Sequence, residues 1–255
     1  MTPTEGGYTF NPASQTTTIN GAAVTGLNFT AQTAGTATLA VDATSSQALT
    51  LKATTVSTVA FSTNSGNELL LAFVAADYLS GANTTVTSVT GAGLTWVLVK
   101  RANAQSGTAE IWRAFAPTSL SGVTVTATLS QSVVSSITVM SFSGADGTGS
   151  NGSGAIGATA SASASSGAPS GSLVSTRNNS LVLGVGNDFD DKIARVPGSA
   201  QSLVFQVLTS TGDTYWVQKQ NNTTPVSGTT VAINDTAPTG DRYPQVQGES
   251  RLLPV

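Results

Sequence analysis

Glu110 and Trp112 stand two positions apart in GTAEIWRAF, and in an extended strand alternation turns both side chains to one face. A carboxylate beside an indole suits a sugar cleft, and hydrolysis of a glycosidic bond needs a second carboxylate about 5–10 Å away. Glu68 and Asp213 are the candidates for that partner. Trp112, Tyr215 and Trp216 are the candidates to stack on sugar rings, against the plainer reading that a strand tryptophan fills a core. Trp96 is in phase with Leu94 and Leu98 and reads as core. Tyr215 and Trp216 are neighbours that point to opposite faces of a strand, so one of them is expected outside the core.

A second group of residues is rich in oxygen. Asn187-Asp188-Phe189-Asp190-Asp191 follows an apolar run, and Asn234-Asp235 with Asp241 makes another acidic loop. Hard cations take about six to eight oxygen ligands from such groups. Asp188, Asp190, Asp191, Asp235 and Asp241 are therefore the candidate ligands for Ca2+. Lys192 and Arg195 lie close enough in sequence to offset the same charge without a metal.

Other chemistries are missing. With no histidine and no cysteine in the chain, Ser-His-Asp and Cys-His catalysis, His-ligated metals and disulfides are excluded. There is no GxxxxGK[ST], and Gly184-Val185-Gly186 sits in a strand-like run with no helix after it, which leaves nucleotide binding unsupported. Ten Lys plus Arg in 255 residues and a net charge of −3 provide no basic patch for nucleic acid or an anionic membrane surface. No apolar run reaches the roughly 20 residues of a membrane-inserted helix.

The elements that must position these residues are strands. Charged residues are only 9% of the chain and hydrophobic ones 39%, which leaves too few charges for amphipathic helices but enough apolar surface for a core. Short β-rich runs recur at 69–74, 94–99, 109–115, 123–129 and 137–142. After the Gly/Ser/Ala-rich stretch 144–171 a second set appears at 181–185, 203–208, 214–218, 229–233 and, weakly, 243–247. FSTNSGNELLLAFVAAD (61–77) lines up, with short gaps, with VSTRNNSLVLGVGND (174–188), which sets Asp77 against Asp188. Ser121-Gly122 and Ser227-Gly228 each introduce an alternating strand after a tryptophan. The expected fold is all-β: a two-sheet sandwich over 34–255 with similar halves at about 61–143 and 174–247. Residues 1–33 form an appendage in which β-rich runs at 15–19 and 22–30 flank Asn20-Gly21, a favoured hairpin turn.

Two resemblances add to this. The stretch GGYTFNPASQTTTINGAAVTGLNFTA resembles the closing hairpin of prealbumin-like repeats, the carboxypeptidase-regulatory-like and Cna-B-like modules of large bacterial surface proteins. It implies that 1–33 is the end of a module from a longer multidomain chain, so these residues are expected to pack poorly on the main domain. NELLLAFVAAD, VTGAGLTWVLVKR, GTAEIWRAFAP, VTVTATLSQS, NNSLVLGVGNDFD, GDTYWVQ and INDTAPTGDRY are similar to a jelly-roll, lectin-like domain of secreted multidomain proteins of soil bacteria. That family has no single activity, so the resemblance implies a fold and leaves function open. The chain departs from its pattern at Tyr243-Pro244-Gln245-Val246-Gln247-Gly248-Glu249-Ser250, where Pro244 predicts an edge strand or a frayed tail.

Taken together, the expectation is a secreted or cell-surface, non-catalytic binding or adhesion module. Its partners would be a polysaccharide or cell-surface glycan and neighbouring β domains of the same chain, with no nucleic acid and no membrane insertion. A two-carboxylate glycoside hydrolase is the enzyme alternative. Self-assembly by strand addition through the N-terminal hairpin is the structural one.

Overall fold

The computed structural model describes residues 1–5, 8–21, 23–33 and 38–251. Strands dominate throughout. Among the described residues no helix is long and apolar enough to cross a membrane.

The N-terminal hairpin is present, but its ladder lies further out than the turn signal suggests. β1 (Tyr8–Asn11) pairs with β2 (Thr30–Thr33), from Tyr8 opposite Thr33 to Asn11 opposite Thr30. The polar runs at 15–19 and 23–29 form no strand, and Ala22 lies outside the described residues. With no apolar sheet to cover them, the Thr-rich runs have nothing to bury and gain little by pairing. Among the described residues no side chain of this hairpin region is buried.

Each half is a complete sandwich of its own. The N-terminal one comprises β3 (Ala40–Ala48), β4 (Ala53–Ser57), β5 (Glu68–Ala76), β6 (Val86–Gly91), β7 (Val97–Ala102), β8 (Thr108–Ala116), β9 (Val125–Val133) and β10 (Ser135–Ser143). A short 3-10 turn, Ser150–Ala155, leads to β11 (Ile156–Ala164), β12 (Ser170–Val174), β13 (Leu181–Asp188), β14 (Val196–Pro197), β15 (Gln201–Leu208), β16 (Thr214–Gln220), β17 (Thr230–Ala237) and β18 (Tyr243–Ser250). The first sandwich has a five-stranded sheet ordered β3-β10-β5-β8-β7 and a three-stranded sheet β4-β9-β6. The second has β11-β18-β13-β16-β15 and β12-β17-β14. In each half the order is first-eighth-third-sixth-fifth against second-seventh-fourth, an interleaved, jelly-roll-like winding. The five-strand sets legible in the sequence are thus parts of eight.

The two five-stranded sheets pack face to face, so the molecule is a stack of three, five, five and three strands. Leu69, Leu71, Phe73 and Ala75 of β5 share one apolar cluster with Leu181, Leu183 and Val185 of β13 and with Tyr215 and Val217 of β16. β5 lies against β13, β8 against β18, β10 against β16 and β7 against β11. Third meets third while sixth and eighth exchange, as in an isologous pair, but the packing of β7 on β11 is not matched between β3 and β15, so the reciprocity is only partial. On the other face of β5, Leu70, Ala72 and Val74 meet Val56, Val89, Val125 and Ala127 of the three-stranded sheet. The central strands are therefore covered on both faces, and β5, β13 and β18 are buried along their whole length.

Double covering corrects the expectation for the last run. β18 is neither edge nor tail but a central strand between β11 and β13. Its ladder with β13 begins at Gln245, so the donor that Pro244 lacks is not needed on that side.

Candidate functional site

Glu110 is held inside the N-terminal sandwich. Its Oε1 accepts from the Val86 amide at 2.7 Å, Arg101 Nε at 2.7 Å and Thr108 Oγ1 at 3.1 Å. Its Oε2 accepts from Arg101 Nη2 at 3.0 Å and Trp112 Nε1 at 3.0 Å. A bidentate guanidinium and three further donors leave neither oxygen free for a proton or a sugar carbon. Alternation does place Trp112 beside Glu110, but the ring is buried in the cluster under the three-stranded sheet, where its N–H serves the carboxylate.

The expected partner carboxylates lie elsewhere. On β5 Glu68 stands opposite Ala116, whereas Glu110 stands opposite Val74, so the two are about 20 Å apart at ~3.3 Å per residue. Glu68 is 0% exposed and neither oxygen has a well-formed hydrogen bond, although the Thr63 and Ser141 hydroxyls lie near it. Burial, and the Asp42 carboxylate beside it, push its carboxyl up to about 7. Asp42 itself is held below the usual range by Asn64, whose Nδ2 and backbone amide donate to it at 3.0 and 2.6 Å. Asp213 sits where the two sandwiches meet, accepting from Thr211 Oγ1 at 2.5 Å, Thr209 Oγ1 at 3.1 Å and the Tyr215 hydroxyl at 3.3 Å. Burial raises it despite those bonds. Glu110, Glu68 and Asp213 are not brought together, and no pair of them faces across a cleft.

Tyr215 and Trp216 do point to opposite faces, yet both are buried, at 0% and 1% exposure. A sheet covered on one face would leave one of them outside, but this sheet is covered on both. Tyr215 faces the N-terminal sandwich, where its single hydroxyl proton is shared between the Val134 carbonyl at 3.1 Å and the Asp213 carboxylate at 3.3 Å. Trp216 faces its own three-stranded sheet beneath Gly186, where a Cβ would collide with the indole. Trp112, Tyr215 and Trp216 thus offer no open ring face to a ligand.

Three of the five candidate calcium ligands do converge. Asp188, at the end of β13, and Asp241 form ion pairs with the buried Arg195, the second at 3.8 Å. Asp235 on β17 feels the same guanidinium. Arg195 also lies over the Trp216 ring, 4.6 Å from its centroid, a cation–π contact. A guanidinium, the charge the sequence offered as the alternative to a metal, occupies the middle of the cluster. The cluster is incompletely satisfied: both Asp235 oxygens, Asp241 Oδ2, Trp216 Nε1 and the Arg195 Nε and Nη1 have no hydrogen-bond partner. Burial pushes Asp235 up to about 7, against the pull of Arg195, and burial raises Asp188 in the same sense. Asp190 and Asp191 stay outside. Their backbone amides donate to Asp188 Oδ1 at 2.9 and 3.3 Å, and the Asp190 carboxylate is 3.7 Å from Arg242.

Facing also corrects the internal match. Leu69, Leu71, Phe73 and Ala75 face the opposite sandwich, as do Leu181, Leu183 and Val185. The ladders to the sixth strand start at Ala76–Thr108 and Asp188–Thr214. Ala76, not Asp77, is the counterpart of Asp188, and Trp216 stands where Glu110 stands in the first half. A one-residue slip along a strand reverses every side chain.

Sequence reasoning missed a surface feature of the C-terminal sandwich. A groove of about 290 Å³ runs between the β15–β16 hairpin and β17, lined by Gln201, Gln220, Asn222, Thr223, Thr224 and Thr230 among others, with no charged side chain. Its residues are scattered over 199–232 without a motif, so only the fold assembles it. Comparisons with protein families, with curated proteins and with solved structures yield no match for this chain.

Proposed function

We propose that this chain is a non-catalytic binding module of a secreted or cell-surface protein, and that the groove of the C-terminal sandwich takes a neutral glycan. The observation that carries the reading is the lining: uncharged amides and hydroxyls, with Asn222 and Thr230 exposed beside Pro225 and Ala232. Such groups exchange hydrogen bonds with sugar hydroxyls and give specificity without charge. The groove has no aromatic platform, so binding rests on hydrogen bonds and is expected to be weak. The carboxylates best placed by sequence for hydrolysis, Glu110 above all, are committed to internal bonds, which favours binding over catalysis.

A glycan array probed with the whole chain, with the double variant Asn222→Ala/Thr223→Ala, and with and without a chelator, tests the reading. Binding of a neutral glycan that the double variant loses, and that salt leaves unchanged, supports it. Absence of binding, or equal binding by the variant, overturns it. The chelator arm asks whether glycan binding depends on a divalent cation.

A further inference from the structure

We propose that Asp42 and Glu68 form a divalent-cation site, suited to calcium, at the end of the N-terminal sandwich where β5 begins. Glu68 is wholly buried between the sheets, yet neither of its oxygens has a well-formed hydrogen bond, only the nearby Asp42 carboxyl and the Thr63 and Ser141 hydroxyls. A buried carboxylate in that state is costly and calls for a compensating group. Asp42 stands beside it, and the Thr63 and Ser141 hydroxyls lie close enough to influence it. Neither carboxylate has a lysine or arginine partner among the described residues. The side-chain oxygens of these four residues are the hard donors that calcium selects, and two carboxylates balance its charge.

The other sandwich carries an independent comparison. Strand pairing is irregular at the same place in both halves, at Ser141/Phe142 against β3 and at Ile156/Thr159 against β18. In the C-terminal sandwich one carboxylate, Glu249, fills the spot. It accepts from the amides of Ala158 at 2.9 Å, Thr176 at 2.8 Å and Arg177 at 3.2 Å, and from Thr176 Oγ1 at 2.6 Å. In the N-terminal sandwich Asp42 performs the matching task with the Asn64 amide, so folding needs no second acid there. Glu68 is that second acid, and its oxygens, without a well-formed bond, point to a ligand rather than to a structural role. This site differs from the Arg195 cluster, where a guanidinium already sits among the carboxylates.

Thermal melts of the metal-stripped chain in calcium, in magnesium and in chelator test the proposal on wild type, Glu68→Gln, Asp42→Asn and Asp235→Asn. At calcium about 100 times its dissociation constant the wild-type Tm should rise by roughly 5–10 °C. The rise should persist in Asp235→Asn and vanish in Glu68→Gln and Asp42→Asn, with Glu68→Gln melting higher than wild type in chelator. A wild type indifferent to calcium overturns the proposal, even if Glu68→Gln is more stable, because the two acids then share a proton and no metal. A calcium response that survives in Glu68→Gln overturns it as well, since the ion then binds elsewhere.

Discussion

The two sandwiches share one strand order but have different interiors. Beneath the five-stranded sheet of the N-terminal half lies a broad apolar cluster crossed by one ion pair, Glu110–Arg101, whose hydrogen bonds are complete. Beneath the corresponding sheet of the C-terminal half the apolar cluster shrinks to Leu173, Val182, Val231 and Ile233. Gln218, Gln245, Gln247, Asp188, Asp235 and Arg195 occupy the rest, several with unpartnered atoms. Topology therefore does not require an apolar interior between these sheets. It requires that the face shared by the two halves be apolar, and there both contribute. A polar interior specifies geometry at a cost in stability, so the C-terminal half is expected to respond to pH through Asp235 and Asp188, and the N-terminal half through Glu68.

The sharpest way to break this contrast is Glu110→Ala. It strands the Val86 amide and the Trp112 N–H and unpairs Arg101, so urea unfolding should show a loss of about 3–5 kcal/mol. A loss below about 1 kcal/mol would mean that the ordered interior of the N-terminal half contributes little.

Asp235→Asn should act in the opposite sense. Because burial raises the folded-state carboxyl to about 7, Asp235 holds its proton in the folded chain at pH values where the unfolded chain has released it. Wild-type stability is then greatest below the unfolded value near 4 and falls as pH rises towards 7. The variant should lack that slope, matching wild type near pH 4 and exceeding it by about 2–4 kcal/mol above pH 7. Unfolding midpoints across that range measure the difference.

Glu249→Gln sharpens the comparison within the same half. The amides of Ala158, Thr176 and Arg177 and the Thr176 hydroxyl hold this carboxyl below its usual value. Its contribution is present above the unfolded value near 4.5 and is lost as pH falls through the lower folded one. The variant should lose about 1–3 kcal/mol at pH 7 and nothing at the acid end. Opposite pH slopes for Glu249 and Asp235 would separate a satisfied from an unsatisfied buried acid in one sandwich.

The smallest effect is expected on the groove. Asn222 is exposed, so Asn222→Ala should change stability by less than about 0.5 kcal/mol, while glycan binding falls if the groove is the site.

What sequence alone could determine was set by composition and periodicity. The scarcity of charge, the short β-rich runs and the repeated Ser-Gly before Val125 and Thr230 mark an all-β chain with two similar halves, because strand alternation and turn chemistry are local properties. Alternation also placed Glu110 beside Trp112 correctly, since both lie on one strand. The fate of those side chains was decided by the tertiary structure. Whether a strand is covered on one face or two depends on what packs over it, so Tyr215 and Trp216 are both interior and Pro244 belongs to a central strand. Asp188, Asp235 and Asp241 meet at Arg195, and Asp42 meets Glu68, only because long connections fold back and bring residues distant in sequence to one place. Such pairings leave no periodic signal, and a one-residue slip in an internal match, as at Asp77 and Asp188, turns every inference about facing inside out.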